Sequence, residues 1–339
     1  MTVRRWISLL AVPALLAAGC GADPVPTSGP GAEVTLAFAG DVHFEGRVTK
    51  LLDQPDTTFG AAAPLLSASD LAFVNLETPI TSRGKAEPKR YLFRAPDKAV
   101  TALRGAGVDA VSLANNHSMD YGLVGLTDTI TKARAGGLGT FGAGADVDKA
   151  FTPWRRTVRG LRIAVFGFSQ VDDLAESWAA RPDRAGMAMA FDVDRAVRAV
   201  AAARANSDLV VVLPHWGIEG DECPSRRQQD FAAALIGAGA DVIVGSHAHV
   251  LQGAGQSGSA YVAYGLGNFL WYSSGLFVPF SARAGVLTLT VRGRTVVGES
   301  FAPTVVSGSG QPRPLTGWHA DVARRNFEQL RGCAGLTPQ

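Results

Sequence analysis

The sequence is poor in cysteine, in net charge and in internal repetition. Its 339 residues include three cysteines, none at metal-ligand spacing from another, which argues against a structural zinc site built on thiolates. The 32 basic and 30 acidic residues leave a formal net charge of +2, so nucleic acid is not expected as a partner. A composition that is 47% hydrophobic and 18% charged is typical of globular proteins. It suffices for one large α/β domain or two smaller ones.

The N-terminal apolar run, Ile7 to Ala18, is too short to span a bilayer and has the length of a signal-peptide core. Arg4 and Arg5 provide the positive charge that precedes such a core. The run ends in Ala-Ala-Gly-Cys, which resembles a bacterial lipobox, where cleavage precedes the cysteine and its sulfur receives a lipid. We therefore interpret residues 1–20 as a signal peptide. We predict an exported protein held to the cell membrane by a lipid on Cys20; the alternative is an ordinary secretory signal and a secreted protein.

The rest of the chain divides into a tether, one domain and a tail. Residues 21–32 are rich in Pro, Gly, Ser and Thr and are predicted to form an extended tether. Residues 33–306 are predicted to form the domain, and residues 307–339 a C-terminal tail with a short closing helix. Cys223 and Cys333 remain after Cys20. Export permits a disulfide between them, but sequence alone cannot place them within reach, so the pairing stays open.

Two histidines follow a short apolar strand near residue 245. Val242 to Val244 reads as a buried strand, and Gly245 is expected to let the backbone turn sharply at its end. His247 and His249 come directly afterwards, at the edge where open α/β sheets place their ligands. Two imidazoles two residues apart can serve two different metal ions. They can equally be loop histidines without a ligand. Ligand-type residues elsewhere in the chain would distinguish these two interpretations.

Four other predicted strands end in residues of the same kind. A turn or a helix cap could explain any one of them alone, but five such ends in a βαβ-like order favour a common site. Asp120 lies three residues beyond His117 and could orient that imidazole. The candidates at the four other ends are Asp41 and His43, Glu77, Asn116 and His117, and His215.

The candidate ligands combine oxygen and imidazole donors without a thiolate. Such a set suits Mn, Fe, Zn or a mixed pair of divalent ions. Two ions about 3.5–4 Å apart, bridged by a carboxylate, form a clamp for hydrolysis. His117, left uncoordinated, would stabilise charge or protonate the leaving group. The glycine-rich stretch 136–144 lacks the Lys-Ser/Thr of a phosphate-binding P-loop and reads as a turn. The basic stretch Ser82 to Arg90 reads as an exposed loop that could attract an anionic substrate or simply be solvated surface.

Several of these motifs together resemble one family. Gly-Asp at 40–41, Asn-Leu-Glu at 75–77, Asn-Asn-His-x-x-Asp-x-Gly at 115–122, His-Trp-Gly at 215–217 and Gly-Ser-His-Ala-His-Val-Leu-Gln at 245–252 are similar to the CapA family of capsule-synthesis proteins. That family is associated with bacterial poly-γ-glutamate and is similar in fold to calcineurin-like metallophosphoesterases. The resemblance implies an α/β fold: a four-layer α/β/β/α sandwich in a single domain.

The resemblance also implies a role for each candidate. Asp41, His43, Glu77 and His249 would hold a first metal, while Glu77, Asn116, His215 and His247 would hold a second, with Glu77 bridging. His117 would take the place of the catalytic histidine, with Asp120 beside it. Glu77 stands where the phosphoesterase pattern has Asp.

The sequence is compatible with three functions. The first is a surface-anchored CapA-like protein of capsule or poly-γ-glutamate biosynthesis, acting on an anionic envelope or capsule polymer with metal-dependent chemistry. The second is an extracytoplasmic phosphoesterase, which His43 and His117 favour and Glu77 disfavours. The third is a scaffold of a polymer-export machine without turnover. Capsule-export proteins are partners expected under the first and third.

Overall fold

A computed structural model describes residues 1–2, 32–272 and 282–339. All but the first two residues of the predicted signal peptide, the predicted lipid site Cys20 and all but the last residue of the predicted tether lie outside the described residues. Within the described ranges, no helix is both long enough and apolar enough to cross a membrane. Export and anchoring therefore stay predictions.

The described part of the chain alternates strands and helices over most of its length. The strands are β1 (Glu33–Val42), β2 (Leu71–Leu76), β3 (Ala110–Ser112), β4 (Gly139–Phe141), β5 (Ala143–Gly144), β6 (Trp154–Val158), β7 (Leu161–Ser169), β8 (Gly186–Met187), β9 (Leu209–Trp216), β10 (Val242–Val244), β11 (Ser246–His247), β12 (Ala254–Ser257), β13 (Ala260–Ala263), β14 (Asn268–Leu270), β15 (Arg283–Arg292), β16 (Thr295–Val306) and β17 (Pro312–Pro314). The α-helices are α1 (Ala63–Ser67), α2 (Lys98–Gly105), α3 (Gly122–Ala135), α4 (Val147–Ala150), α5 (Ala175–Trp178), α6 (Val193–Arg204), α7 (Arg226–Gly237) and α8 (Gly317–Gln329).

Two sheets contain most of the strands. Sheet I has the order β17-β16-β15-β1-β2-β3-β4, with β14 beside β1. Its strands β1 to β4 run parallel, whereas β15, β16 and β17 form antiparallel pairs. Sheet II has the order β12-β13-β10-β9-β7-β6, with β11 beside β9. Its strands β7, β9, β10 and β13 are parallel, so both sheets have a parallel centre whose carboxyl ends can carry a site.

Side-chain alternation along the strands gives the fold four layers. In β1, Leu36 and Phe38 pack with residues of sheet II in a core between the sheets, while Ala37 and Ala39 face a second core that includes α2 and α3. In sheet II, Phe166 faces a third core that includes α6 and α7. Because successive residues of a strand point to opposite faces, each sheet is covered on both sides. The architecture is the predicted α/β/β/α sandwich.

A bulge in β1 determines which way the first acidic residue points. Phe38 pairs with Phe73 and Asp41 with Asn75, so β1 contains one more residue than β2 over this stretch. Strict alternation from Phe38 would have turned Asp41 toward the helices. The extra residue returns Asp41 to the face between the sheets, as bulges next to functional sites often do.

The prediction of a C-terminal tail over residues 307–339 needs a correction. Strands β15 and β16 form a hairpin, and β17 then extends sheet I. Helix α8 follows and buries Phe327 in the core between the sheets. Glycine, proline and serine at the start of this segment suggested a solvated tail, although proline is tolerated in an edge strand such as β17.

A disulfide joins Cys223 to Cys333, which answers a question that the sequence left open. The two Cα atoms lie 5.6 Å apart across a sequence separation of 110 residues. The bond ties the segment after β9 to the end of the chain just beyond α8. Disulfides persist in oxidising compartments, so the pairing agrees with the predicted export.

Candidate metal centre

Polar side chains from five strand ends meet at one edge of the sandwich. Strands β1, β2 and β3 of sheet I and strands β9 and β10 of sheet II supply them, each at or just beyond its carboxyl end. His249 is partly buried at the mouth of this edge. The other residues predicted for the site are buried: Asp41, His43, Glu77, Asn116, His117, Asp120, His215 and His247.

Glu77 lies at the centre of these side chains. Its Oε2 accepts a hydrogen bond from Asn75 Nδ2 at 3.0 Å, whereas its buried Oε1 has no hydrogen-bond partner among the described residues. Three imidazole nitrogens surround Oε1: Nε2 of His215 and of His249 at 3.9 Å, and Nε2 of His117 at 4.0 Å. These separations are too long for hydrogen bonds. They suit donors that lie around a cation held about 2 Å from its ligands.

On one side of Glu77, Asp41 and His249 contact each other. His249 Nδ1 lies 3.1 Å from Asp41 Oδ2 and 2.9 Å from Asn268 Oδ1, so this nitrogen donates and Nε2 is left to face Glu77. Histidines that bind metals are commonly oriented in this way by an acceptor at the other ring nitrogen. Asp41, Glu77 and His249 each offer one ligand atom within 4.8 Å of the others.

On the other side of Glu77, Asn116 and His215 offer an oxygen and a nitrogen together. Asn116 Oδ1 lies 2.9 Å from His215 Nε2. Neighbouring ligands of one ion, each about 2.1 Å from it, are separated by about 3 Å, so the pair fits a shared cation. His215 Nδ1 faces Ser246 Oγ at 2.9 Å, which orients the ring. The two sheets therefore each supply one donor of this pair.

The loop that carries His247 and His249 has an unusual backbone. Both residues have positive φ angles, 90° and 56°, in a region of backbone conformation that residues other than glycine rarely occupy. Gly245 was expected to supply the turn, yet its own φ is not positive. A Cβ there would lie 2.1 Å from the carbonyl oxygen of Tyr264 and 2.2 Å from Trp216 Nε1. Glycine is needed for close packing, and the two histidines themselves make the turn.

His117 and Asp120 form the predicted pair. His117 Nδ1 lies 2.7 Å from Asp120 Oδ2, and the ring therefore directs Nε2 toward Glu77. Asp120 also accepts a hydrogen bond from the backbone amide of Phe93 at 2.7 Å. It forms an ion pair with Lys89 at 3.0 Å. Lys89, predicted to be part of an exposed loop, has a side chain that is only 7% exposed. Its charge is paired with Asp120 inside the protein.

The structure does not bring His43 into this group, contrary to the prediction. Its Nδ1 lies 3.0 Å from the backbone nitrogen of Glu45 and its Nε2 lies 3.1 Å from that of Tyr272. The ring stacks on Phe93 at 4.4 Å and meets Trp271 edge-on at 4.2 Å. The other face of Phe93 stacks on His117. His43 therefore packs one aromatic ring away from the metal-site candidates, with both nitrogens turned to backbone amides.

Burial and neighbouring charges shift the pKa values of the site: they lower those of His215 and His247, whereas Asp41 raises that of His249 against the effect of burial. Burial and the neighbouring Asp41 raise the pKa of Glu77 well above its usual range. Burial would also raise the pKa of Asp41, but the hydrogen bond with His249 lowers it below the usual value. Burial, with repulsion from His249, lowers the pKa of His247 to about 3, and burial lowers that of His215 well below its ordinary value. Neutral imidazole is the form that binds metals.

Three residues of the site were not among the predicted ligands. Asn75 donates from Nδ2 to Asp41 Oδ1 at 2.8 Å and so connects the two central carboxylates. Asn268 holds His249, as described above. Glu219 Oε1 lies 4.0 Å from His249 Nε2. Asn75 near the end of β2 and Glu219 just after β9 carried a usable signal, whereas Asn268 begins β14. Neither amide is distinguishable by type from an ordinary turn residue.

A comparison with known proteins assigns the chain to a family. The family described as bacterial capsule synthesis protein PGA_cap matches residues 35–273, more than half of the chain. The chain belongs to this family. The predicted CapA resemblance is thereby confirmed.

Two curated relatives of this PGA_cap protein are similar to it. The capsule biosynthesis protein CapA of Bacillus anthracis is 33% identical over 247 residues, which cover 70% of this chain and 60% of that protein. The PGA biosynthesis protein CapA of Bacillus subtilis (strain 168) is 33% identical over 245 residues, covering 70% and 63%. The match thus spans less than two thirds of the length of either relative.

A solved structure supports the fold of the PGA_cap protein. The crystal structure of a phosphatase from Mycoplasma pneumoniae superimposes with a TM-score of 0.51 at 16% identity, covering 81% of this chain and 94% of that one. At this level of identity the likeness shows the fold alone. The fold is the predicted one, that of the calcineurin-like metallophosphoesterases.

Proposed function

We propose that this PGA_cap protein is a surface-anchored protein of capsule or poly-γ-glutamate biosynthesis with a dinuclear metal-dependent hydrolase site. The observation that carries the metal site is the buried Oε1 of Glu77, which has no hydrogen-bond partner among the described residues and faces three imidazole nitrogens at 3.9–4.0 Å. A buried carboxylate oxygen left unpaired costs free energy, and a bound cation would remove that cost.

Two ions would divide the ligands between them. Asp41, Glu77 and His249 would hold the first. Glu77, Asn116, His215 and His247 would hold the second, and His247 offers a buried Nδ1 without a hydrogen-bond partner among the described residues. When bound, such a pair supplies Lewis acidity and an ionised water near neutral pH.

The chain's own residues would handle the proton of the reaction. Asp120 accepts from Nδ1 of His117 at 2.7 Å, so a proton taken up by this imidazole resides on Nε2, on the side of Glu77. From there His117 would deliver the proton to the oxygen or nitrogen that leaves during hydrolysis. Burial lowers the pKa of His117, while the Asp120 carboxylate opposes that shift and stabilises the protonated form.

The site opens to the surface through a cleft of about 310 Å³ beside His117. Arg90 and Tyr91 line one part of it, while Asp173 and Glu219 line another. An extended anionic polymer could contact Arg90 at the mouth with a single unit entering the cleft. We propose an anionic envelope or capsule polymer as the substrate class, with Arg90 as its contact.

Anchoring completes the proposal. The N-terminal segment has the charge, apolar core and cysteine of a lipoprotein signal, and the Cys223–Cys333 disulfide suits a protein outside the cytoplasm. A lipid on Cys20 would hold the domain at the outer face of the membrane, where capsule-export proteins are expected partners.

One alternative function has a specific observation in its favour. The His117–Asp120 pair, set in this fold, would serve hydrolysis of a phosphate ester as well as that of a polymer. Activity toward a simple phosphodiester without activity toward poly-γ-glutamate would favour this extracytoplasmic phosphoesterase.

The test measures metal content and hydrolysis on the same preparations. Protein purified with Mn²⁺ or Zn²⁺ is assayed on a phosphodiester and on poly-γ-glutamate, alongside His117→Ala and His247→Ala. The exposed His319 provides the control variant His319→Ala. We expect about two ions in the native protein, fewer in His247→Ala, and two ions with little hydrolysis in His117→Ala. Native protein without metal contradicts the dinuclear site, and full activity in His117→Ala contradicts the role of that residue.

A further inference from the structure

The first metal position has fewer donors than the predicted set provides. With His43 turned to backbone amides, Asp41, Glu77 and His249 remain there. Three protein donors leave at least one coordination place for a further ligand in a four- to six-coordinate ion. A protein residue can fill that place only if its donor atom lies near His249, on the open side of the site.

Glu219 has that position. Its Oε1 lies 4.0 Å from His249 Nε2, and the same nitrogen lies 3.9 Å from Glu77 Oε1. The imidazole nitrogen is therefore near two carboxylate oxygens, one buried and one on the cleft side. Glu219, His247 and His249 each offer one ligand atom within 4.8 Å of the others.

The charge of Glu219 is not neutralised by a basic side chain. Its side chain is 65% exposed, and among the described residues no Lys or Arg pairs with it within 4.0 Å. A carboxylate without a basic partner is a donor that a divalent ion selects.

The loop that carries Glu219 is held against the loop of the histidines. Gly220 donates its backbone N–H to the carbonyl of Ala248 at 2.9 Å. Gln252 Nε2 donates to the carbonyl of Asp221 at 2.8 Å, and Cys223 is fixed by its disulfide. Three attachments within four residues fix the backbone of Glu219 although its side chain is exposed. The starting point of the Glu219 side chain is thus set before a metal binds, which lowers the cost of bringing its carboxylate to the ion.

We propose that Glu219 is a ligand of the first metal and takes the coordination place that His43 does not fill. The inference rests on the proposed metal site and adds a donor to it. It would also place that ion next to the cleft through which a substrate enters, because Glu219 lines this cleft.

Metal binding by Glu219→Gln tests the proposal without any assay of activity. The number of Mn²⁺ ions per chain and their dissociation constants are measured by electron paramagnetic resonance titration. Glu222→Gln, three residues further along the same segment, is the matched control, and His43→Phe removes the competing ligand. We expect one of the two ions to bind at least tenfold more weakly in Glu219→Gln, with both sites unchanged in Glu222→Gln and in His43→Phe.

The outcomes separate this inference from the proposed function. Two ions with native affinity in Glu219→Gln overturn the role of Glu219 and leave the dinuclear site intact. Loss of an ion in folded His43→Phe, with Glu219→Gln unaffected, assigns the place to His43 instead. Native protein that binds no Mn²⁺ overturns the proposed site and this inference with it.

Discussion

Two pairs of residues with the same spacing follow strand ends in this protein, and they behave differently. Asp41 and His43 lie at the end of β1, and His247 and His249 lie just after β10. Both members of the second pair face the site, whereas only Asp41 of the first pair does. Their equal spacing in the sequence predicts the same role for both pairs.

The difference comes from the backbone in one case and from packing in the other. His247 and His249 have positive φ angles, which turn the chain so that both rings reach the site. His43 instead fills a gap between Phe93 and Trp271, and backbone amides face its nitrogens. A ligand-type residue at a strand end thus becomes a ligand only if the surrounding packing leaves its donor atom free.

The largest expected effect separates the two pairs directly. His249→Ala removes an imidazole that contacts Asp41 and faces Glu77, so we expect hydrolysis to fall by more than about a thousandfold, or about 4 kcal/mol of barrier. His43→Phe keeps an aromatic ring in the same cage and should change kcat/KM by less than about tenfold. Steady-state kinetics on the best substrate found would check both. Equal losses in the two variants would remove the distinction drawn between the pairs.

The loop of the second pair depends on a small residue before it. In Gly245→Ala the new Cβ would lie 2.1 Å from the carbonyl oxygen of Tyr264, so backbone must move. We expect a loss of about 3 kcal/mol in the free energy of unfolding, the usual upper range for overpacking. Denaturant unfolding measures it. Gly237→Ala, where a Cβ meets nothing within 4 Å at the end of α7, is the control and should be neutral or slightly stabilising.

A third variant distinguishes the orientation of His117 from the metal ligands. Asp120→Asn keeps the shape of the side chain but removes the negative charge opposite Nδ1 of His117. We expect kcat to fall about a hundredfold, or about 2.7 kcal/mol, at unchanged metal content. Kinetics and elemental analysis on one preparation test this. A loss of metal that parallels the loss of rate would mean that Asp120 supports the ligands instead.

The smallest effect concerns the pH dependence of stability. Burial lowers the pKa of His43 well below its usual value, so the unfolded chain takes up a proton there before the native protein does. Stability from this group is present above about pH 6.5 and is lost as the pH falls below that value. His43→Phe should reduce the slope of stability against pH by up to about 1.4 kcal/mol per pH unit below pH 6.5. Unfolding midpoints of the metal-free proteins from pH 7 to pH 5 provide the measurement, and identical slopes would count against a neutral, buried His43.

Much of the fold was predictable because its signals are local. Short apolar runs ending in Gly, Asp, Asn or His placed the parallel strands, and helices such as α6 and α7 follow apolar spacing over twelve residues each. The family resemblance supplied the layer order. The bulge before Asp41 was not predictable, because it depends on the pairing of β1 with β2 and not on the sequence of either strand alone.

The parts of the site that were not predicted depend on contacts between distant segments. His43 is excluded from the group by Phe93 and Trp271, which lie about 50 and 230 residues away in the chain. Glu219 becomes a candidate through the hydrogen bond between Gly220 and Ala248. Cys333 is joined to Cys223 across 110 residues of sequence. None of these contacts leaves a periodic or compositional trace.

Two metal ions are proposed to lie on either side of the Glu77 carboxylate. Anomalous diffraction from crystals grown with Mn²⁺ tests it most directly. We expect two peaks about 3.5–4 Å apart, one next to Asp41 and His249 and the other next to Asn116 and His215, with Glu77 between them. A single peak, or no peak within reach of Glu77, would contradict the account.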